Sequence, residues 1–147
     1  MSVEKLVISV EEGAVAPSYA TSGSAGADIR AFIDKPIYLF GGASQIVNTG
    51  LRMRVPEGYE VQIRPRSGLA AKNNITVLNS PGTIDSDYRG EVRVILVNHG
   101  NEGFVIRNGD KIAQMVLAPV TRAEFVIGEI EVDTERGTGG FGSTGIQ

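Results

Sequence analysis

The chain has no cysteine and no tryptophan, and one histidine, His99, among its 147 residues. Without cysteine there is no disulfide scaffold and no thiolate nucleophile, and a lone histidine cannot fill an ordinary zinc ligand set. The redox compartment is left open. Positive charge is also short: 14 Lys and Arg stand against 17 Asp and Glu, a formal net charge of -3. A dedicated nucleic-acid or membrane surface usually shows as a basic stripe, so any phosphate partner should be held locally and not by a broad field. No apolar run approaches the ~20 residues of a membrane span, and Met1-Ser2-Val3-Glu4-Lys5 is not a basic segment followed by an apolar one. The expectation is a soluble, cytoplasmic protein with no membrane partner and no stable nucleic-acid binding.

What is present is short and alternating. Leu6-Val7-Ile8, Gln45-Ile46-Val47, Leu51 to Val55, Tyr59 to Ile63, Phe104-Val105-Ile106, Ile112 to Leu117 and Phe125-Val126-Ile127 read as strands. Turn signals separate them at Phe40-Gly41-Gly42, Pro56-Glu57-Gly58, Asn98 to Asn101 and Asn108-Gly109-Asp110, the close spacing of sandwiches and barrels. Only Ser67 to Lys72 looks helical, with room for about two turns. The prediction is all-β: a jelly-roll-like sandwich or barrel over residues 1–132 with one short helix. From about Asp133 the composition turns to glycine, and residues 133–147 should form a flexible tail, not a second domain.

The 19 glycines cluster beside Arg, Asp, Ser and Thr. The densest cluster is Gly82-Thr83-Ile84-Asp85-Ser86-Asp87-Tyr88-Arg89-Gly90-Glu91, two carboxylates, a phenol and a guanidinium between glycines that read as hinges of a β-hairpin. By itself it could be an Asp-rich turn bonding its own backbone. Ser24-Ala25-Gly26-Ala27-Asp28 places a carboxylate at a strand start. Arg64-Pro65-Arg66-Ser67-Gly68-Leu69-Ala70 could aim amides, a hydroxyl and guanidinium groups at one anion, or Ser67 could simply cap the helix. Asn108-Gly109-Asp110-Lys111-Ile112-Ala113-Gln114 is a turn leading into a strand with an amide among apolar neighbours. In the tail, Gly137 and Gly142-Ser143-Thr144 have Walker A spacing with Ser143 in the lysine position and no strand-to-helix unit around them, which rejects a P-loop. Arg136, successive glycine amides and the Phe141 ring could still serve an anion or a base.

In this order the five clusters resemble the five motifs of the trimeric dUTPase family across nearly the whole chain, most specifically in the third and fifth. The resemblance implies hydrolysis of dUTP to dUMP and pyrophosphate, which supplies dUMP and keeps uracil out of DNA. It implies that Asp85 orients and deprotonates the attacking water, that Tyr88 leaves no room for a 2′-hydroxyl, and that Asn79 reads the uracil edge. Arg66, Ser67, Gly68 and Gln114 fall at phosphate-contacting positions. Asp28 matches a carboxylate that touches a Mg²⁺ ion through water. Arg136 should reach the γ-phosphate and Phe141, with Gly142 beside it, should cap the uracil as a closing lid. The family implies a homotrimer with shared active sites: motifs one, two and four from one chain, motif three from a second, the tail from the third.

Two other readings stand beside this one. A dCTP deaminase, or its bifunctional form, shares the fold and a similar Asp turn but carries a glutamate on the following strand, where this chain has Val94, Ile95 and Leu96. A non-catalytic regulatory or structural jelly roll would share the fold without needing Asp85, Tyr88, Arg136 and Phe141. His99 reads as a solvent-facing turn residue.

Overall fold

The computed structural model describes residues 1–147. Its eleven strands and one helix are β1 (Val7–Val10), β2 (Ser18–Tyr19), β3 (Ala27–Arg30), β4 (Ile37–Leu39), β5 (Ser44–Arg54), β6 (Tyr59–Arg64), α1 (Ser67–Asn73), β7 (Ile75–Val77), β8 (Gly82–Ile84), β9 (Val92–Asn98), β10 (Phe104–Ile106) and β11 (Lys111–Pro119). One sheet runs β1-β5-β9-β7 and the other β2-β3-β11-β6-β8, with β10 and β4 paired separately. Every pairing is antiparallel.

Period-2 patterning decides which side chains meet between the sheets. On β6, Val61 and Ile63 point inward, and on β9 Val92, Val94 and Leu96 do so; Ile29, Leu51, Met53 and Ile112 complete much of a 20-residue apolar core. The residues read as two strands, 45–47 and 51–55, fall, all but Val55, within one long strand, β5, interrupted by a bulge. Asn48 pairs with Arg93 and Leu51 with Val92, so Thr49 and Gly50 are looped out of the ladder. Looping out two residues preserves the in-and-out phase, so Val47 and Leu51 both stay buried.

Two expectations need correction. Phe125-Val126-Ile127 is not a strand: β11 ends at Pro119, and residues 120–132 carry no helix or strand. No strand edge in the chain pairs with them, and Phe125 is left 92% exposed. The stretch 82–91 is also more than a hairpin loop. β7 and β9 are antiparallel neighbours, but the connection between them crosses to the other sheet, where β8 pairs with β6. At the start of β6, Tyr59 donates its hydroxyl to the Glu4 carboxylate (2.9 Å), and that bond with the nearby negative charge holds the phenol pKa above its usual value.

Two polar side chains, Thr49 and Asn98, are buried and hydrogen-bonded. The Asn98 amide donates to Leu39 O (3.1 Å) and Glu102 O (2.8 Å), and its oxygen accepts from Gly100 N (2.9 Å). It thereby ties the end of β9 to β4 and to the loop before β10. Asn98→Ala leaves these partners unpaired in the interior, at about 1–3 kcal/mol for each group that stays dry. Urea titration should show a midpoint lowered by the equivalent of about 3 kcal/mol; an unchanged midpoint would contradict this role for the amide.

Candidate active site

The crossing of β8 to the second sheet sets up the Asp-Tyr turn. Gly82 and Ile84 are buried on β8, and Asp85 is the first residue beyond it, exposed to solvent. Tyr88 N donates to Asp85 O (3.1 Å), closing a turn. The Tyr88 hydroxyl donates to Glu91 O (2.8 Å), which folds the ring back over Gly90. A Cβ on Gly90 would lie 2.6 Å from Tyr88 Cζ, and one on Gly82 would lie 3.3 Å from Ile63 Cβ. Neither glycine has positive φ. They were expected to be hinges; they are points of close approach, and Gly90 is there to admit the ring.

Asn79, Thr83, Asp85 and Tyr88 share a cavity of about 240 Å³, walled on one side by Ile46, Val94 and Ile95. Sites that enclose a whole drug-sized ligand run to roughly 300–1,000 Å³, so this one suits part of a larger ligand. Val94 and Ile95, two of the three positions at which a deaminase glutamate was expected, are apolar lining residues of this cavity.

A second cavity is lined mainly by polar groups: Ser24, Asp28, Arg64, Arg66, Ser67 and Gln114, with Gly26 and Gly68. Strand register brings them together, because Gln114 of β11 lies opposite Asp28 of β3 on one side and Arg64 of β6 on the other. The Gln114 amide donates to Pro65 O (3.0 Å). A Cβ on Gly26 would lie 2.9 Å from Gln114 Cδ, so the glycine of the first cluster makes room for the amide of the fourth. Asp28 accepts from Arg66 Nε (3.1 Å) and lies 3.5 Å from Lys111 Nζ, and these are the only ion pairs in the chain. Lys111 stood inside a recognised cluster but had no assigned role. Ser67 does not cap α1; Arg66 is the N-cap, without a side-chain capping bond.

No group of three or more acidic, histidine or cysteine side chains is placed to hold a metal ion. A single carboxylate, Asp28, flanked by two cations, fits a hydrated ion accompanying an anionic ligand and not an all-protein cage. In the tail, Arg136 Nε donates to Gly139 O (2.9 Å), and Phe141 has φ 52 with its ring in solvent beside Gly142 at φ +81. Neither cavity has a lining residue beyond Val116, and the two have no lining residue in common.

The family model for dUTPase matches residues 12–145. The chain belongs to the dUTPase family. A relative from Roseobacter denitrificans, a deoxyuridine 5′-triphosphate nucleotidohydrolase, is 61% identical over 130 residues, covering 88% of this chain and 86% of its own. The dUTPase of Staphylococcus bacteriophage 80alpha, solved with dUPNHPP, superposes with a TM-score of 0.85 at 25% identity over 98% of this chain and all of that one. A mutant dUTPase of phage phi11 of S. aureus, whose structure shows the coordination of a structural Mg(II) ion, gives a TM-score of 0.77 at 23% identity, over 89% of this chain and all of that one. The jelly-roll-like architecture is therefore that of dUTPases.

In this dUTPase, Gly26→Ala should displace the Gln114 amide while sparing the core. With Gln114 in the phosphate-contacting role that the sequence resemblance implies, steady-state kinetics should show KM for dUTP raised about tenfold, the worth of one hydrogen bond to a charged group. An unaltered KM would mean that the amide is not needed where Gly26 places it.

Proposed function

We propose that this chain hydrolyses dUTP to dUMP and pyrophosphate, with Asp85 holding and deprotonating the attacking water. The observation that carries the assignment of roles is the sharing of one small cavity by Asp85, Tyr88 and Asn79, while the anion donors are gathered in another. As a member of the dUTPase family the chain is a nucleotidohydrolase. Within that activity the water oxygen bonds to the α-phosphorus, and the bond from that phosphorus to the α,β-bridging oxygen breaks. The electron pair leaves with pyrophosphate, and the water proton passes to the Asp85 carboxylate. Asp85 is exposed at the end of β8, an acceptor on a rigid mount, which suits it to bind water before substrate closes the site.

Tyr88 excludes a 2′-hydroxyl because its ring is fixed from below by Gly90 and at its tip by Glu91 O. Asn79 presents an amide to the pyrimidine edge. Arg66, Ser67, Gly68 and Gln114 donate to phosphate oxygens, where fixed donors are worth most as charge develops. Arg136 neutralises the terminal phosphate, and Phe141 with Gly142 covers the base. Asp28 would hold a Mg²⁺ ion through water, and the ion would supply countercharge to the triphosphate. The cations beside Asp28 belong to the same arrangement, since a lone carboxylate would repel that ligand.

The enzyme in this reading is a homotrimer that shares its sites. Two cavities without a common lining residue, and a tail that lines neither, are what a site divided among chains requires of each chain. Exposed Phe125, Val126 and Ile127 supply apolar surface for assembly to cover. No helix is long and apolar enough to cross a membrane; a cytoplasmic location belongs to the same proposal.

Asp85→Asn keeps the size and an acceptor but removes the basicity. It should lower kcat by roughly 10²–10⁴-fold while leaving the affinity for dUTP nearly unaltered. Stopped-flow proton release and calorimetric titration read the two quantities separately, and a kcat near wild type would remove Asp85 from its role.

A further inference from the structure

The Tyr88 ring is held by a stop at Glu91, and the stop rests on the β5 bulge. The main-chain oxygen of Glu91 accepts the Tyr88 hydroxyl (2.8 Å), while its carboxylate Oε2 accepts from Gly50 N (3.3 Å). Beside this contact, the buried Thr49 hydroxyl donates to Val92 O (2.5 Å) and accepts from Leu51 N (3.3 Å). The two residues looped out of β5 therefore hold the two residues that follow Gly90. Arg52 Nη1 adds a bond to Arg89 O (3.1 Å), and Arg89 Nη1 bonds Ser86 O (2.6 Å) and Tyr88 O (3.2 Å) inside the turn.

The bulge is itself fixed. Gly50 has φ +68, and a Cβ there would lie 2.7 Å from Ala14 Cβ and 2.9 Å from Phe32 Cδ2. Packing of Ala14 and Phe32 against the Gly50 backbone leaves the bulge one position, and its free amide is directed at Glu91. A bulge beside a functional loop commonly serves to re-aim a side chain.

We propose that Glu91, seated on the Thr49–Gly50 bulge, is a positioning residue that sets the depth of the Tyr88 ring and with it the choice of deoxyribose over ribose. The proposal rests on the reading of Tyr88 as the group that faces the sugar. What matters in Glu91 is the reach of its side chain, not its charge. If the brace is released, the ring can withdraw and a 2′-hydroxyl gains room.

Two conservative variants separate reach from charge without threatening the fold. Glu91→Asp keeps the charge and loses one methylene of reach; Glu91→Gln keeps the reach and an acceptor oxygen and loses the charge. The ratio of kcat/KM for dUTP to that for UTP is measured for both, with Tyr88→Ala as reference and melting curves as control. Glu91→Asp should narrow the ratio roughly fivefold, the worth of about one hydrogen bond, and Glu91→Gln should keep it near wild type. A wild-type ratio in Glu91→Asp, together with a relaxed one in Tyr88→Ala, overturns the brace and leaves the role of Tyr88 intact. A ratio unchanged in Tyr88→Ala overturns the reading of Tyr88 itself. Loss of kcat in Glu91→Gln with a displaced pH profile overturns the proposal by making the charge the working feature.

Discussion

The register of β11 is the constraint on which the rest depends. It lies at the middle of the five-stranded sheet, pairing Gln114 with both Asp28 and Arg64 and Met115 with both Ala27 and Ile63. Side chains alternate along a strand, so a slip of one position would turn Met115 outward and drive Gln114 into the core. The present register keeps Ile112, Ala113 and Met115 buried while Gln114 lies beside Arg66, Ser67 and Asp28. Core packing and the polar cavity are thus two faces of one pairing. Gly26 completes it by leaving space that any other residue would fill.

The same sandwich keeps the Asp-Tyr turn apart from that cavity. β8 pairs with β6 over Val61 to Ile63, and the turn emerges beyond its end. Consecutive residues of β6 serve different cavities, Ile63 lining the first and Arg64 the second. A nucleotide has a base and sugar at one end and phosphates at the other, and in the homotrimer we propose, further copies bring the two kinds of donor to one ligand. Cyclic symmetry provides that without requiring any single chain to enclose the whole substrate.

Much of this was legible in the sequence. Period-2 stretches marked β6, β10 and β11 well, and the single helix appeared where small and straight-chain residues run from Ser67. Phe125-Val126-Ile127 misled because β propensity reports fitness for a sheet surface, and no edge within this chain pairs with it. The glycines at 26, 82 and 90 were legible as special but not in their reason, since close approach by a side chain distant in sequence, or folded back from two residues away, leaves the same letter as a flexible turn. Lys111, Thr49 and Glu91 were hidden for a related cause. Their partners, Asp28, Val92 O and Gly50 N, are defined only once register and bulge are known.

The central claim is that the water-activating carboxylate and the tail that closes the site belong to different chains. Co-expressing two inactive forms tests it directly: Asp85→Asn full-length chains and chains ending at residue 135 with Asp85 intact. Shared sites predict that the mixture, unlike either parent, hydrolyses dUTP at about a quarter of the wild-type rate for equal random assembly, because each site then draws carboxylate and tail independently. A mixture no more active than its parents, in trimers shown to contain both chains, would contradict the account.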